Sequence, residues 1–594
     1  MKRLQKQRSI SILTACALAL FGLMVSSCNK IADIASETGV VFDTDLLTNF
    51  ATVQYIDASD PNIAPEGIEI EILGKDKDKI YSVLGEKEIQ TDGGNFVNLG
   101  VRKITIVDEE NPLKFTIKAD APGYLPSYRD IVIYNVDEFQ FITIPLVREA
   151  TDGDGVAFKT AAITLGAQGT TSEVQLISRT PTSSLSPIEV SIPAQTVAFA
   201  TNGQRLQGEA VVQIGQFDPY NPMALKAFPG ELAVANFLNA QGFDMGPSGI
   251  RPLVFYSLDM YVNGQEVKTF SQPIRIEVPL DPQTINPTTD EPIQVGDQLV
   301  VASFDEDAAV WKQEKSVTVQ QDDSGQLYVA FDQPHLSFWF IGAVPSGCTY
   351  TLFRIYSDIP KTASIFRTFY TELVDATTNQ PVTQGRYFRF YNLERIFVFY
   401  PPAGNVKLRI WDGDEVCKDD MLFESDPFDI CSGTFFNPTD IDIGTSLRKE
   451  EWIEIYVEVS GVCPNGLEVR PTLPILFRDP SCPAYTLLGN MKSGNGWTTK
   501  LRQGQYYDFA IIYAGLDRRI YNLQVPTQDT VINIVSPVYN FTETIVVDYV
   551  PGSNGVGQKL HLNYQGIQMP QLACDEYLMY FNPDGTPINP DNGN

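Results

Sequence analysis

Short runs of alternating apolar and polar residues recur along almost the whole chain, and they constrain its fold more than any other feature. "GIEIEILG" (67–74) puts Ile68, Ile70 and Ile72 on one side, and "PLKFTIKAD" (112–120) does the same with Leu113, Phe115 and Ile117. "NVKLRIW" (405–411) turns Val406, Leu408 and Ile410 inward and Lys407, Arg409 and Trp411 outward. A period of two belongs to a half-buried strand, because successive strand side chains point to opposite faces. Long runs of helical period are nearly absent, while 43 glycines and 39 prolines scattered through the length supply turns. The pattern predicts an all-β chain of serial β-sandwich domains, immunoglobulin-like or prealbumin-like. At 594 residues the chain is too long for one core.

The N-terminus follows a different rule. Lys2, Arg3, Lys6 and Arg8 precede an apolar run from Ile10 to Val25, which ends in small residues and Cys28. This is the order of an export signal, and the run is too short for a secure membrane span. The tetrad Val25-Ser26-Ser27-Cys28 resembles the lipobox of bacterial lipoproteins. That resemblance implies cleavage before Cys28 by signal peptidase II, a diacylglyceryl group on its sulfur and acylation (palmitate) of its new amino group. Three acyl chains anchor firmly where one is marginal. An ordinary cleaved signal peptide and a retained anchor helix are the alternatives. Residues 1–27 are then the signal peptide and 28–38 a polar tether.

The full chain carries a formal charge of -30, and loss of the four leader cations takes it to -34. Such acidity argues against nucleic acid or an anionic lipid surface as a partner and leaves weak acidic sites for divalent cations. Besides Cys16 and Cys28, six cysteines occur: Cys348, Cys417, Cys431, Cys463, Cys482 and Cys574. An even number in an exported chain implies up to three disulfides, and sequence does not choose among the fifteen pairings. Cys417 with Cys431 would close a short acidic loop, and Cys463 with Cys482 would brace a domain boundary. A zinc site is disfavoured, since no C-x-x-C occurs and His335 and His561 are the two histidines.

Four sandwich units are expected, at 39–148, 150–344, 347–462 and 464–585, with a flexible tail at 586–594. In the first, "FTIKADAPGYLPSYRDIVI" resembles carboxypeptidase regulatory-like and related prealbumin-like domains, with Pro122-Gly123 as its turn. Such modules usually act as spacers or docking parts. In the second, "SIPAQTVAF", "NGQRLQG", "VWKQEKSVTV" with Trp311 and "HLSFWFI" with His335 and Trp339 resemble ZU5-like β domains. Its interval 233–259 is weakly patterned and reads as a short helix or cap. His335 reads as a residue that caps a strand or bonds a neighbouring loop, because no G-x-S-x-G elbow accompanies it. The third unit is the richest in aromatics and closes with "EWIEIYVEVSG". "CTYTLFRIYSD" and "CPAYTLLGNMKS" are loosely alike and hint at a duplicated module.

No phosphate loop, dinucleotide fingerprint or H-E-x-x-H is present, and two histidines are few for acid–base work near neutrality. Carboxylate groups around Cys417 (Asp412, Asp414, Glu415, Asp419, Asp420) and at Asp305, Glu306 and Asp307 are what 73 acids produce by chance. Asp412, Asp414 and Asp419 are weak candidates for a structural Ca2+; otherwise no cofactor is expected. Trp411 and Trp497 are the candidate ligand-binding residues. Three functions compete. The preferred one is a non-catalytic outer-membrane lipoprotein, an accessory or scaffold subunit of an envelope complex for transport, secretion or outer-membrane protein assembly. Length, composition and lipobox resemble lipoproteins of Bacteroidota, which implies an outer-membrane β-barrel or other envelope lipoproteins as partners. The alternatives are a surface lipoprotein that binds glycan or another ligand, and a hydrolase with an unrecognised site. The lipid anchor implies outer-membrane attachment, facing the cell surface in preference to the periplasm, although the nearest acid to Cys28 is Asp33.

Overall fold

The computed structural model describes residues 47–568, apart from 84, 94, 103, 136–138, 150, 154, 231, 359–367, 384, 414–415, 448–453, 471–472, 492–493, 499–500, 514–515, 537–540 and 551–558. The expected signal peptide, tether and tail, together with Cys28 and Cys574, lie outside the described residues. Within them the chain is built of β-sheets that pair into four sandwiches.

The first sandwich shows why alternation yields this fold. Strand Leu47–Asp57 pairs antiparallel with Phe96–Arg102 and parallel with Gln140–Leu146, while Leu113–Asp120 lies between Glu69–Leu73 and Ser127–Ile133 in the facing sheet. Phe50, Val53 and Tyr55 from one sheet meet Phe115, Ile117 and Ile131 from the other in a closed core. The expected turn is present: Tyr124 N–H donates to Ala121 O (3.0 Å) and Gly123 takes φ +81°, a left-handed value that glycine adopts without strain.

The third and fourth sandwiches repeat this connectivity. With the two-residue strand Glu468–Val469 left out of the numbering, in each the opening strand (Tyr350–Ser357, Glu454–Val462) pairs antiparallel with the fourth strand and parallel with the last, Thr439–Gly444 and Lys559–Gln568. In each, the second strand pairs with the fifth and the fifth with the sixth. Two expectations change as a result. "EWIEIYVEVSG" does not close the third unit; its strand Glu454–Val462 opens the fourth. The repeat also has a different register from the one the cysteine-led segments hint at, since Tyr350–Ser357 is a first strand whereas Thr486–Met491 is a third. The outer hydrogen-bonding partners of a strand, not its local residue pattern, decide which sheet it joins.

The second sandwich is larger, with a nine-stranded and a seven-stranded sheet. The nine-stranded sheet is buried on both faces. Trp339 and Ile341 enter the sandwich core, and their neighbours Phe338 and Phe340 enter a second core on the opposite face. This double burial explains the unpatterned interval 233–259. Arg251–Val262 is a twelve-residue central strand, and a strand covered on both sides reads as a continuous apolar run with no alternation. The short helix is Pro222–Lys226, outside that interval, with Asn221 accepting from the N–H groups of Met223 and Ala224 at its N-terminus.

The sandwiches are not strung in series. The first one packs against all three others. Tyr128 and Leu125 enter the second core of the nine-stranded sheet. Val132 joins Leu352, Phe397 and Tyr400 of the third sandwich. Phe96 and Phe141 join Leu476, Tyr485 and Ile512 of the fourth.

Candidate functional site

Of the residues singled out around Cys417, Asp412 and Cys417 itself lie at the junction of the third and fourth sandwiches, and Glu415 lies outside the described residues. Strand Asn405–Gly413 carries Trp411 and Asp412, and its alternation is as read: Val406, Leu408 and Ile410 are buried, while Lys407 and Arg409 both hold Glu424 on the facing edge (3.0 and 2.7 Å). Pairing with Lys418–Glu424 is irregular on both sides of Trp411, and such bulges re-aim a side chain. The indole is half-buried, and its N–H donates to Glu372 Oε2 at 2.9 Å. Lys418 bonds the other oxygen of Glu372 and stands 5.2 Å from the Trp411 ring and 5.5 Å from Tyr370.

Asp412 crosses the junction to Arg502 of the fourth sandwich (3.1 Å). Cys417 crosses it covalently, through a disulfide to Cys482 that spans 65 residues of sequence. On the far wall Arg478 donates to Asp508 (2.9 Å) and to Pro483 O (2.9 Å). A cleft of about 310 Å³ opens between these groups, with Tyr507 and Thr486 also on its walls. Among the described charged groups, Arg502 pairs with Asp412, Arg478 with Asp508 and Lys418 with Glu372, while Asp479 accepts from the N–H and the hydroxyl of Ser481 (2.9 and 2.5 Å).

Cys348 pairs with Cys431, and Cys463 is also disulfide-bonded. Neither Cys417–Cys431 nor Cys463–Cys482 forms. Cys417 and Cys482 join two sandwiches, and Cys348–Cys431 joins the start of the third sandwich to the approach to its last strand. Of the calcium candidates, Asp412 is held by Arg502, while Asp414 and the side chain of Asp419 lie outside the described residues. Trp497 lies on Asn495–Thr498, paired with Tyr456, and its side chain lies outside the described residues. Among the described residues, no group of three or more His, Cys, Asp or Glu side chains could hold a metal ion.

His335 is the last residue of the strand Leu327–His335, which precedes the closing strand Ser337–Ala343, and it packs its ring 5.0 Å from that of buried Trp339. Its Nε2 lies 3.7 Å from Glu314, which also accepts from Ser303 Oγ (2.9 Å). The His335 contact outweighs burial and, with Ser303 and Lys312, holds the Glu314 carboxyl down at about 2. Serine and histidine both hang on the carboxylate here, whereas a nucleophilic triad needs serine on histidine. The arrangement ties the strands Gln298–Asp305, Val310–Thr318 and Leu327–His335 together through one carboxylate.

Sequence reasoning missed Glu372, Lys418 and Arg502. A signal for Glu372 existed: it sits in "FYTELVD", where Tyr370, Thr371, Leu373 and Val374 are all buried. A carboxylate on such a strand has to be paired. Nothing in the sequence names Arg502 as the partner of Asp412, 90 residues away.

No family model matches the chain, and no curated protein does. Solved structures with some likeness include the Bacillus anthracis TIE protein, at 8% identity over 64% of this chain and 73% of that one, TM-score 0.13. The major pilin subunit of Bacillus cereus matches at 11% identity over 67% of this chain and 98% of that one, TM-score 0.12. The shaft pilin SpaA of Lactobacillus rhamnosus GG matches at 7% identity over 37% and 99%, TM-score 0.15. Scores this low carry no argument about arrangement or activity.

Proposed function

We propose that this chain is a non-catalytic scaffold or accessory subunit of a bacterial envelope complex, held at the outer membrane by acyl chains on Cys28. The observation that supports this reading best is the packing of one sandwich against three others. It makes a single body of many sheets that presents broad surfaces to a larger partner, such as an outer-membrane β-barrel or another envelope lipoprotein. The polar groups at the third–fourth junction hold the body together and are paired with one another. The glycan-binding alternative loses weight, because Trp411 gives its N–H to Glu372 and one side of its ring to Lys418.

The test is affinity capture of the tagged, full-length protein from native membranes in mild detergent, with mass spectrometry of what accompanies it. The expected result is a stoichiometric envelope partner, together with an N-terminal peptide that begins at acylated Cys28. Recovery of the protein alone from membranes that retain it argues against the scaffold reading.

A further inference from the structure

Where the chain enters its first strand, the surface changes character. Leu47 pairs with Arg102, so the loop that leaves Arg102 emerges beside the point at which the described chain begins. That loop turns at once, with Thr105 N–H donating to Arg102 O (2.8 Å). It raises Ile104 and Ile106 into solvent at 83% and 77% exposure. The 3-10 turn Lys77–Lys79 lies at the same end, since the next residue, Ile80, pairs with Val101. Exposed Lys75, Lys77, Lys79 and Arg102 stand here with exposed Asp78, Glu109 and Glu110, half-exposed Asp108, and Asp76, which holds Lys79 at 2.7 Å. In a chain with a formal charge of -30, this end is close to neutral. Two bare isoleucines ringed by balanced charge match the interfacial layer of a bilayer better than they match water.

From Cys28 to Leu47 is nineteen residues, which cannot reach beyond about 65 Å even fully extended. An acyl anchor on Cys28 therefore keeps this end of the first sandwich within about 65 Å of the lipid.

We infer that the loop bearing Ile104 and Ile106 is a second membrane contact, seated in the headgroup layer of a zwitterionic lipid surface. The contact rests on the lipid-anchor reading and adds to it. It orients the body, because a tether alone leaves rotation free whereas two contacts define which face points away from the membrane.

The test uses the native lipidated protein, with Ile104→Cys and Ile106→Cys each labelled by an environment-sensitive fluorophore, in vesicles of phosphatidylcholine and phosphatidylethanolamine. Val295→Cys, at 58% exposure on the second sandwich, is the control, and the unsubstituted protein sets the labelling background. The expected result is a blue shift and at least twofold quenching by headgroup-proximal nitroxide lipids at both loop positions, with none at the control. Floating protein whose loop labels quench no more than the control overturns the inference and leaves the anchor reading intact. Protein that does not float with the vesicles overturns the anchor reading, and this inference with it.

Discussion

The seam between the first and second sandwiches is made of rings. Tyr128 reaches Phe304 at 4.9 Å, Phe304 reaches Trp311 at 5.3 Å, and Trp311 stacks on Phe228 at 4.7 Å with its N–H on Pro229 O at 2.8 Å. The seam between the third and fourth sandwiches is made of charges around a cleft, crossed by the Asp412–Arg502 pair and the Cys417–Cys482 bond. Buried apolar area stabilises in proportion to its extent and needs no partner-by-partner matching. Ion pairs lose in desolvation much of what they gain in attraction. The contrast teaches that a polar seam in this molecule is held by a covalent bond, whereas an apolar seam holds itself.

Replacing the central ring should have the largest effect. Trp311→Ala removes a fully buried indole and should cost about 3–5 kcal/mol in denaturant unfolding. A loss well under that of the disulfide variant would reverse the comparison. The double change Cys417→Ser/Cys482→Ser opens a 65-residue loop and should cost about 2–4 kcal/mol, with the third and fourth sandwiches then melting separately in calorimetry. Melting that stays coupled would mean that the polar groups suffice.

Two aspartates, Asp57 in the first sandwich and Asp259 in the second, should respond to pH with opposite sign. Burial pushes Asp57 up, but hydrogen bonds from Tyr124, Arg148 and the backbone of Asp60 and Ser59 outweigh it and leave its carboxyl below the usual range. Its contribution is present above the unfolded value of about 3.9 and is lost as pH falls through the folded one. Asp57→Asn should therefore cost about 2 kcal/mol near neutrality and little in strong acid. Asp259 is pushed up to about 8 by burial and by Glu306, Glu266 and Glu149 against Lys268, and its Oδ2 has no hydrogen-bond partner among the described residues. The unfolded chain releases that proton first, so this group destabilises increasingly as pH rises from about 4 to about 8. Asp259→Asn should stabilise by about 1 kcal/mol at the upper end, after allowance for its partial exposure. Urea midpoints of both variants from about pH 2 to about pH 8 are the measurement, and parallel profiles would contradict the assignment.

The smallest effect belongs to the second seam. Trp411→Phe removes the N–H to Glu372 and should cost about 1 kcal/mol in the same unfolding assay. Retention on polysaccharide gels should not change, and a loss of retention would return Trp411 to a ligand-binding role.

Much of the architecture was legible in residue order, for a physical reason. Alternation of Ile68, Ile70 and Ile72, or of Val406, Leu408 and Ile410, is a local imprint of a one-sided core. It failed where strands are covered on both sides, as at Arg251–Val262, because nothing then alternates. It also failed at the boundary near residue 454, where local pattern reports that a strand exists but not which sheet takes it. At the third–fourth junction Trp411 and Asp412 were singled out, yet their partners Glu372 and Arg502 were not, since pairing across separate sandwiches leaves no periodic trace.

By itself the sequence determined the all-β class, the turns at positions such as Pro122-Gly123 and the cysteines that pair, because these depend on side-chain alternation, backbone freedom and residue identity. Only the tertiary structure decided that the first sandwich is a hub, that Cys417 reaches Cys482 and that Ile104 and Ile106 stand bare where the chain enters. Those facts depend on which surfaces meet, and residues far apart in sequence meet through the packing of whole sheets.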